Sequence, residues 1–403
     1  MDETLRRRLD RLTRHAEYVV PAGDLAGRLE EGRPLRVKLG LDPTARAVTL
    51  GWAVPLRKLR AFQDDGHTAV LIVGDFTARI GDPSGKSQTR SQLSKEEVQV
   101  NAEAVLDQFR DILSEDNLEV RYNSEWLEGM DLPDLLGLTA QYTVAQMLER
   151  DDFAKRYAEQ RPISIIELMY PLLQGYDSVA VRADVELGGT DQLFNLLVGR
   201  DLQKAYGQRS QVALTMPLLV GTDGVQKMSQ SLGNYIGIRD DAADMFGKLM
   251  SVPDTLLPSY AALAAGLDGA GVAEIEAAVA QGGPGAGDAK RRVARAVVSL
   301  YHGGDAAGAA EAAFDRLFRE HALPEDVPEA AIGAGVISGD NVYVPALLAD
   351  LGLAASRNEG RRLIAQGGVK ANGEPVSREE VPLAELKGAL LQVGKRRFVR
   401  LVG

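Results

Sequence analysis

Short apolar runs alternate with helix-like segments over the first half of the chain. Residues 37–41 and 68–74 are apolar runs of the length of buried strands, and the segment 50–63 between them is typical of a helix. Strand, helix and strand in this order predict a right-handed βαβ crossover in a parallel sheet. Apolar runs at 181–187 and 212–220 indicate further strands of the same sheet.

Small and polar residues follow each of these predicted strands. Asp42 and Thr44 come after the first strand, and Asp82 and Lys86 after the second. A Gly-Gly-Thr-Asp-Gln turn follows the third, and a polar loop with Lys-Met-Ser-Gln-Ser at 227–231 follows the last. Because ligands bind beyond the carboxyl ends of strands in open parallel sheets, the sequence predicts a ligand site at this edge.

A third pattern lies in residues 163–180, an apolar helix interrupted by three polar side chains. Tyr170, Gln174 and Asp177 are spaced by four and then three residues, so they share one face of the helix. Two interpretations are open from the residues alone. The three side chains form a satisfied buried hydrogen-bond network, or they form a polar pocket in an apolar wall that binds a ligand.

The later part of the chain is predicted to be helical and then mixed α and β. Residues 242–325 have helical patterns, and an Asn-Gly pair at 372–373 is typical of a tight hairpin turn. Two helices, 344–351 and 357–366, precede that turn. The expected domains are a Rossmann-like domain at 1–240, a helical domain at 241–325, a linker at 326–341 and a small α+β domain at 342–403.

Composition narrows the classes of protein. The 403 residues are 45% hydrophobic and 26% charged, which is typical of a globular protein with two or three domains. The absence of cysteine excludes disulfides and thiolate metal sites, and the four scattered histidines have no ligand spacing, so no metal site is predicted. The charged start and the lack of an apolar run of bilayer length lead us to expect a cytoplasmic protein.

The charge is unevenly distributed. A net charge of −11 argues against a nucleic-acid binder, yet residues 342–403 hold ten Lys and Arg against six Asp and Glu. A basic domain at the end of an acidic chain predicts a polyanion contact confined to that end. Ordinary variation in a stretch of this length is the alternative explanation.

These features together resemble one family. The Asp-Pro-Thr turn after the first strand, the Tyr/Gln/Asp helix face and the Lys-Met-Ser-x-Ser loop resemble bacterial tyrosyl-tRNA synthetases, which are class I aminoacyl-tRNA synthetases. The likeness covers nearly the whole chain, and 342–403 looks like the S4 RNA-binding fold. The most specific stretches are 40–44, 80–85, 170–177 and 188–192.

The resemblance implies a fold and an activity. The fold would be a Rossmann-like parallel-sheet catalytic domain, then an α-helical domain on the anticodon side, then a small α+β S4-like domain. The activity would be that of a tyrosine–tRNA ligase, which uses ATP with Mg²⁺ to form tyrosyl-adenylate and transfers tyrosine to tRNA(Tyr). The resemblance also implies a homodimer. Catalysis would rest on positioning and on electrostatic stabilisation of a phosphoryl transition state.

The resemblance assigns site residues by motif. For tyrosine, the residues are Asp82, Tyr170 and Gln174 at the ammonium, Asp177 at the phenol, Gln192 near the carboxylate, and Lys38 at the position of a ring partner on the first strand. For ATP, they are Asp42, Thr44, Gly51, Trp52, Asp191, Lys227 and Gln230. The residues expected to assist catalysis are Thr49, Lys86, Arg90, Lys227, Gln230 and Ser231. For tRNA, they are Arg357, Arg361, Arg362 and Lys370.

The sequence departs from the family pattern at three expected ATP contacts. The His-Ile/Leu-Gly-His signature is replaced here by Thr49-Leu50-Gly51-Trp52, and the second Lys of the KMSKS loop by Gln230. The loss of one preorganised donor costs about 10²–10³ in rate. We therefore keep two alternatives: a catalytically impaired paralogue that binds tyrosine or RNA, and an adenylating enzyme that passes tyrosine to another acceptor. Lys38 stands where Tyr is usual, which we interpret as a subgroup trait.

Overall fold

The computed structural model describes residues 2–81, 94–318, 327–394 and 397–402. The chain divides into two compact units, Met1–Glu311 and Ala312–Gly403. The finer division of the first unit at residue 240 stays a prediction. No helix in the described ranges is long and apolar enough to cross a membrane.

A six-stranded sheet forms the centre of the first unit. Its strands are β1 (Tyr18–Val20), β2 (Arg36–Leu41), β3 (Thr68–Val73), β4 (Leu118–Tyr122), β5 (Val185–Gly189) and β6 (Val212–Met216). The order across the sheet is β1-β6-β5-β2-β3-β4, and every neighbouring pair is parallel except β1 and β6. The Rossmann-like parallel sheet is thereby confirmed, with an antiparallel edge strand that the sequence did not predict.

Helices surround this sheet and fill the rest of the unit. Those up to the last sheet strand are α1 (Glu3–Thr13), α2 (Asp24–Glu30), α3 (Leu50–Asp64), α4 (Lys95–Phe109), α5 (Ser124–Leu127), α6 (Leu132–Thr139), α7 (Val144–Met147), α8 (Asp151–Ala158), α9 (Ile165–Val181) and α10 (Leu193–Ala205). After the sheet come α11 (Ala242–Ser251), α12 (Leu257–Ser259), a π-helical turn (Tyr260–Ala264), α13 (Gly269–Gln281), α14 (Gly283–His302) and α15 (Gly304–Phe318), which crosses into the second unit.

Local chemistry explains several helix boundaries. The sequence Ser-Lys-Glu-Glu at 94–97 is typical of a capping box, and Ser94 and Glu97 form one at the start of α4. Thr49 caps α3, because its hydroxyl accepts a hydrogen bond from the N–H of Trp52 at 3.3 Å. The prediction of a strand over 181–187 was wrong at its start, since Val181 still belongs to α9. Arg182, with φ +50°, ends that helix, and the strand begins only at residue 185.

The core of the first unit lies between β2, β3, β5 and α3. Val37, Leu71 and Val185 on the strands, and Leu56 and Phe62 on α3, are all fully buried. Each such side chain contributes roughly 1.5–3 kcal/mol relative to an exposed position. This packing fixes the N-terminus of α3 beside the carboxyl end of β2.

The second unit is a small α+β fold. Its strands are β7 (Glu329–Ala331), β8 (Ile337–Ser338), β9 (Asn341–Tyr343), β10 (Val369–Ala371), β11 (Glu374–Pro375), β12 (Glu380–Pro382), β13 (Leu390–Val393) and β14 (Arg397–Val402), and its helices are α16 (Val344–Asp350), α17 (Arg357–Ala365) and α18 (Leu383–Leu386). They form sheets of order β11-β10-β13-β14-β7 and β12-β9-β8. The hairpin at Asn372 and Gly373, both at positive φ, is as predicted. The described part of the predicted linker contributes β7 and β8 to these sheets.

Candidate active site

A cavity of about 530 Å³ opens at the carboxyl ends of the central strands, beside the N-terminus of α3. It is bounded by α9 on one side and by the loop that follows β6 on another. Thirteen predicted site residues line it: Asp42, Thr44, Thr49, Gly51, Trp52, Tyr170, Gln174, Asp177, Asp191, Gln192, Lys227, Gln230 and Ser231. Asp82, Lys86 and Arg90 lie outside the described residues. One cavity therefore unites four separate stretches of sequence, 42–52, 170–177, 191–192 and 227–231.

Lys38 does not line this cavity, which corrects the expectation that it contacts tyrosine. Its side chain is fully buried, and its ammonium donates to Glu186 Oε1 at 2.8 Å, to Ser178 Oγ at 2.8 Å and to the carbonyl of Gln174 at 3.0 Å. These three acceptors satisfy its three donors. Lys38 and Glu186 are cross-strand neighbours on β2 and β5, so the register of the sheet holds this ion pair behind the cavity wall.

Asp177 is a buried residue of the cavity wall, 3% exposed. Its carboxylate accepts a hydrogen bond from Trp126 Nε1 at 2.9 Å and from Asn123 Nδ2 at 3.5 Å. Burial raises the pKa of Asp177 to about 7, while the charge of Lys38 and the bond from Trp126 act in the opposite direction. A carboxylate in these surroundings can accept a hydrogen bond from a ligand hydroxyl.

Tyr170 and Asp42 join the two halves of the cavity. The hydroxyl of Tyr170 donates to Asp42 Oδ2 at 2.9 Å, and Thr77 Oγ1 donates to Asp42 Oδ1 at 2.8 Å. The Tyr170/Gln174/Asp177 face of α9 thus lines a cavity and also takes part in buried hydrogen bonds. The two interpretations of that helix face do not exclude each other.

Asn195 links two of the predicted tyrosine ligands. Its Nδ2 donates to Gln174 Oε1 at 2.8 Å and to Gln192 Oε1 at 3.2 Å. Sequence reasoning missed Asn195, together with Trp126, Asn123 and Thr77. Their partners are 21 to 54 residues away in the sequence for most of these bonds, so no local pattern points to them.

The start of α3 forms the half of the cavity that is predicted to bind ATP. The N–H of Gly51 donates to Met228 Sδ at 3.3 Å, and a Cβ at Gly51 would lie 3.4 Å from Met228 Cβ. The hydroxyl of Thr49 is engaged as the cap of the helix. Trp52 lines the cavity and keeps 37% of its surface exposed. The two departures from the histidine signature therefore both lie at the cavity.

The loop that follows β6 also forms part of the cavity wall, beside the start of α3. Lys227 Nζ lies 2.6 Å from Asp191 Oδ2, and the hydroxyls of Ser229 and Ser231 are 2.9 Å apart. Gln230 Oε1 is buried and has no hydrogen-bond partner in the described structure. Gln230 therefore places this unpaired hydrogen-bond acceptor at the position where the family pattern has the second Lys of the KMSKS loop.

In the second unit, the predicted RNA-binding side chains are exposed on α17 and β10. Arg357, Arg361, Arg362 and Lys370 all face solvent. Arg361 Nε lies 3.2 Å from Glu379, and its guanidinium stacks over the ring of Tyr343 at 5.9 Å. The resulting surface offers several cations to a polyanion.

The class of protein follows from family comparisons together with this fold and cavity. Residues 30–319 match the family of tRNA synthetases class I (W and Y), and residues 344–385 match the S4 domain. The chain belongs to the class I tRNA synthetases of the tryptophan and tyrosine family. It therefore carries the fold and the C-terminal S4 domain that the sequence predicted.

Relatives that match this chain over nearly its full length are ligases for a single amino acid, tyrosine. A tyrosine–tRNA ligase of Moorella thermoacetica is 49% identical over 405 residues, which cover 100% of this chain and 97% of the relative. A tyrosine–tRNA ligase of Geobacter sulfurreducens is 49% identical over 394 residues, 97% of each chain. The similarity extends over the full length, including the S4 domain.

Solved structures agree on the fold. The tyrosyl-tRNA synthetase of Archaeoglobus fulgidus, crystallised with L-tyrosine, matches with a TM-score of 0.62 at 24% identity, over 76% of this chain and 99% of that chain. A C-terminally truncated mitochondrial tyrosyl-tRNA synthetase of Aspergillus nidulans matches with a TM-score of 0.63 at 22% identity, over 79% of this chain and 95% of that chain. At these identities the likeness extends to the fold alone.

Proposed function

We propose that the chain is a tyrosine–tRNA ligase that joins tyrosine to tRNA(Tyr) in two steps. The tyrosine carboxylate attacks the α-phosphorus of ATP, pyrophosphate leaves, and the tyrosyl-adenylate then esterifies the 3′ end of the tRNA. Family membership supports the ligase class, and full-length relatives support tyrosine as substrate. The observation that carries the proposal is the single cavity that joins the polar face of α9 to the start of α3.

Tyrosine would lie along α9 with its phenol at Asp177. The carboxylate of Asp177 would accept the phenol hydrogen bond, and Tyr170 and Gln174 would hold the ammonium together with Asp82. Gln192 would lie near the tyrosine carboxylate. Phenylalanine would leave the buried Asp177 unpaired, and sites of this kind reject the analogue by about 10⁴–10⁵-fold, for which this family is the standard example.

ATP would occupy the half of the cavity formed by α3 and the loop after β6. Asp42, Thr44 and Gly51 would contact the nucleotide, and Asp191 would contact the ribose. Trp52 presents an aromatic surface in this half, which can stack on a purine base. Lys227 is bound to Asp191, so ATP binding would separate them and release the ammonium to the phosphates.

The charge that develops on the phosphates would be met by fewer cations than the family normally offers. Lys227 stays available, Lys86 and Arg90 are proposed to assist, and the N-terminus of α3 adds a partial positive charge. The Thr49 hydroxyl accepts from the helix and can still donate its own hydrogen. Gln230 and Ser231 would supply neutral hydrogen bonds. We therefore expect a working but slow adenylation step.

Mg²⁺ would enter with ATP. The described residues contain no group of three or more His, Cys, Asp or Glu side chains that could hold a metal ion. Mg²⁺ commonly takes one or two carboxylates and completes its shell with phosphate oxygens and water. Asp42 and Asp191 are the carboxylates that line the nucleotide half, and they fit this requirement. The ion would neutralise charge on the leaving pyrophosphate.

The second unit would bind tRNA. Arg357, Arg361, Arg362 and Lys370 are proposed to contact the phosphates, because exposed Lys and Arg side chains neutralise a nucleic-acid backbone. The helical segment at 241–325 is proposed to lie on the anticodon side. Both assignments rest on the family.

A homodimer and a cytoplasmic location are also proposed. Large apolar side chains are exposed on α6 to α9: Leu132, Leu136, Val144, Tyr157, Ile165 and Ile166. Leu132, Val144, Tyr157 and Ile165 are each more than 60% exposed, and a second copy of the chain would cover them. Light scattering that returned the mass of one chain would contradict the dimer, and cell fractionation would test the location.

Tyrosine-dependent exchange between ATP and pyrophosphate tests the proposal. Exchange by the purified chain, followed by charging of tRNA(Tyr), is the expected result. Tyrosine binding without exchange would indicate the impaired paralogue, which the full-length ligase relatives do not favour. Exchange without tRNA charging would indicate a different acceptor for tyrosine.

A further inference from the structure

The loop that carries Lys227, Gln230 and Ser231 is bonded at several points to one buried carboxamide, that of Asn234. We name residues 221–233 the β6 loop. Asn234 is 4% exposed, and its Oδ1 accepts a hydrogen bond from the N–H of Ser229 at 2.9 Å. Its Nδ2 donates to Asp223 Oδ2 at 2.8 Å and to the carbonyl of Lys227 at 3.2 Å. One side chain therefore bonds the first, middle and later parts of the loop.

Close contacts and backbone hydrogen bonds surround the Asn234 side chain and restrict its position. A Cβ at Gly221 would lie 2.4 Å from the carboxamide, so only glycine fits against it. The N–H of Thr222 donates to the carbonyl of Asn234 at 2.9 Å. Asp223, which receives the Asn234 amide, also accepts from the backbone N–H groups of Val225 and Gln226 at 3.0 and 3.1 Å. These hydrogen bonds hold the pKa of Asp223 below its usual value.

The chain beyond Asn234 joins the β6 loop to the start of α3. The N–H of Leu50 donates to the carbonyl of Ile236 at 2.8 Å, and the N–H of Ile238 donates to the carbonyl of Val48 at 2.9 Å. On the other side of the loop, the hydroxyl of Tyr260 donates to the carbonyl of Val220 at 2.7 Å. Both ends of the loop are thus fixed. Between them, Asn234 adds side-chain hydrogen bonds to backbone bonds such as that from the N–H of Met228 to the carbonyl of Leu219 at 2.8 Å.

We infer that Asn234 is a positioning residue for adenylate formation, which sets the β6 loop so that Lys227 and Gln230 face the ATP half of the cavity. Asn234 does not line the cavity and acts through the loop backbone. This inference rests on the proposed function. Because the inferred role concerns ATP alone, tyrosine binding in the other half of the cavity should not depend on Asn234.

The variant N234D tests this inference with a change of one atom. The new carboxylate oxygen would face the carboxylate of Asp223 and the carbonyl of Lys227, where Nδ2 now donates. We expect the KM for ATP in pyrophosphate exchange to rise by roughly tenfold or more, the effect of losing buried hydrogen bonds. Tyrosine affinity, measured without ATP by equilibrium dialysis, should change by less than about twofold.

Two further variants separate position from charge. Q226E adds the same negative charge to the same loop through an exposed side chain, and its KM for ATP should change by less than about threefold because that charge is screened. The double variant N234D/D223N restores a donor opposite the new carboxylate. It should recover part of the ATP affinity, which a merely destabilised protein would not do.

Hydrogen exchange gives a readout that is independent of activity. Amides of the β6 loop, such as those of Thr222, Met228 and Ser229, should exchange faster in N234D than in the parent, while those of β2 and β3 should not. Unchanged loop exchange and unchanged KM for ATP would overturn the inference, as would an equal loss of tyrosine affinity. If the parent itself showed no pyrophosphate exchange, the proposed function would fail, and hydrogen exchange would still decide whether Asn234 holds the β6 loop in place.

Discussion

The ammonium of Lys227 lies 2.6 Å from the carboxylate of Asp191. The cation that is proposed to bind the phosphates of ATP is thus paired with the carboxylate that is proposed to bind the ribose. The two side chains are 41% and 20% exposed, and such a pair contributes only about 0–1 kcal/mol to stability. The contact is therefore easily broken by ATP. The contact fixes Lys227 of the β6 loop beside Asp191 in this structure.

The first prediction concerns Lys227. K227A should lower tyrosine-dependent pyrophosphate exchange by about 10²–10³-fold, because a preorganised donor to the developing charge is lost. The free energy of unfolding, measured in urea, should change by less than about 1 kcal/mol. A large loss of stability with little loss of exchange would show that the ion pair is structural.

The second prediction concerns selectivity for tyrosine over phenylalanine. D177N keeps the shape of the side chain and removes its charge, so the hydrogen bond from the phenol is no longer charge-assisted. The ratio of kcat/KM for tyrosine to that for phenylalanine should fall by roughly 10–100-fold in pyrophosphate exchange. An unchanged ratio would place the phenol elsewhere in the cavity.

The third prediction concerns the pH dependence of stability. Burial raises the pKa of Asp177 from 3.8 to about 7, so the folded protein binds this proton more tightly than the unfolded chain. Between these two values the folded state holds the proton and the unfolded state releases it, and the contribution of Asp177 to stability falls as pH rises. Above about pH 7 the full cost of a buried carboxylate is present.

The variant D177N removes this titration. Its free energy of unfolding relative to the parent should therefore increase between pH 5 and pH 8, by about 1–4 kcal/mol. Urea denaturation of both proteins at several pH values would measure the difference. A constant difference across that range would mean that Asp177 titrates at the same pH in both states.

The fourth prediction concerns Gln230, whose buried Oε1 has no hydrogen-bond partner. Q230K places a cation in the nucleotide half and removes an unsatisfied acceptor. We expect kcat for pyrophosphate exchange to rise by about 10-fold or more, since a charged donor stabilises the developing anion. Q230M, which removes the acceptor without adding charge, is the matched control and should leave kcat near that of the parent.

The fifth prediction concerns the second unit. The triple variant R357A/R362A/K370A should raise the KM for tRNA in aminoacylation and leave pyrophosphate exchange unchanged. The slope of log affinity against log salt should become shallower by about two to three, since each lost phosphate contact removes close to one released counterion. An equal loss of both activities would contradict a role confined to tRNA.

Much of the fold followed from local patterns. The βαβ unit, the capping box at Ser94 and the hairpin at Asn372 depend on periodicity and turn chemistry within a few residues, and the structure confirms all three. The polar face of α9 was equally local, because helical spacing alone places Tyr170, Gln174 and Asp177 together. The antiparallel edge strand β1 was missed, since its three residues carry no alternating pattern.

What the sequence determined by itself was therefore the set of elements, the family and the residue types that meet at the ligand edge. Only the tertiary structure decided that Lys38 lies behind the cavity wall, because the register of β2 against β5 places it beside Glu186, 148 residues away. It also decided that Asn195 and Asn234 connect the site residues. Helix spacing and turn preference act over a few residues, whereas the partner of a buried polar group is chosen by packing between distant segments, which no local pattern records.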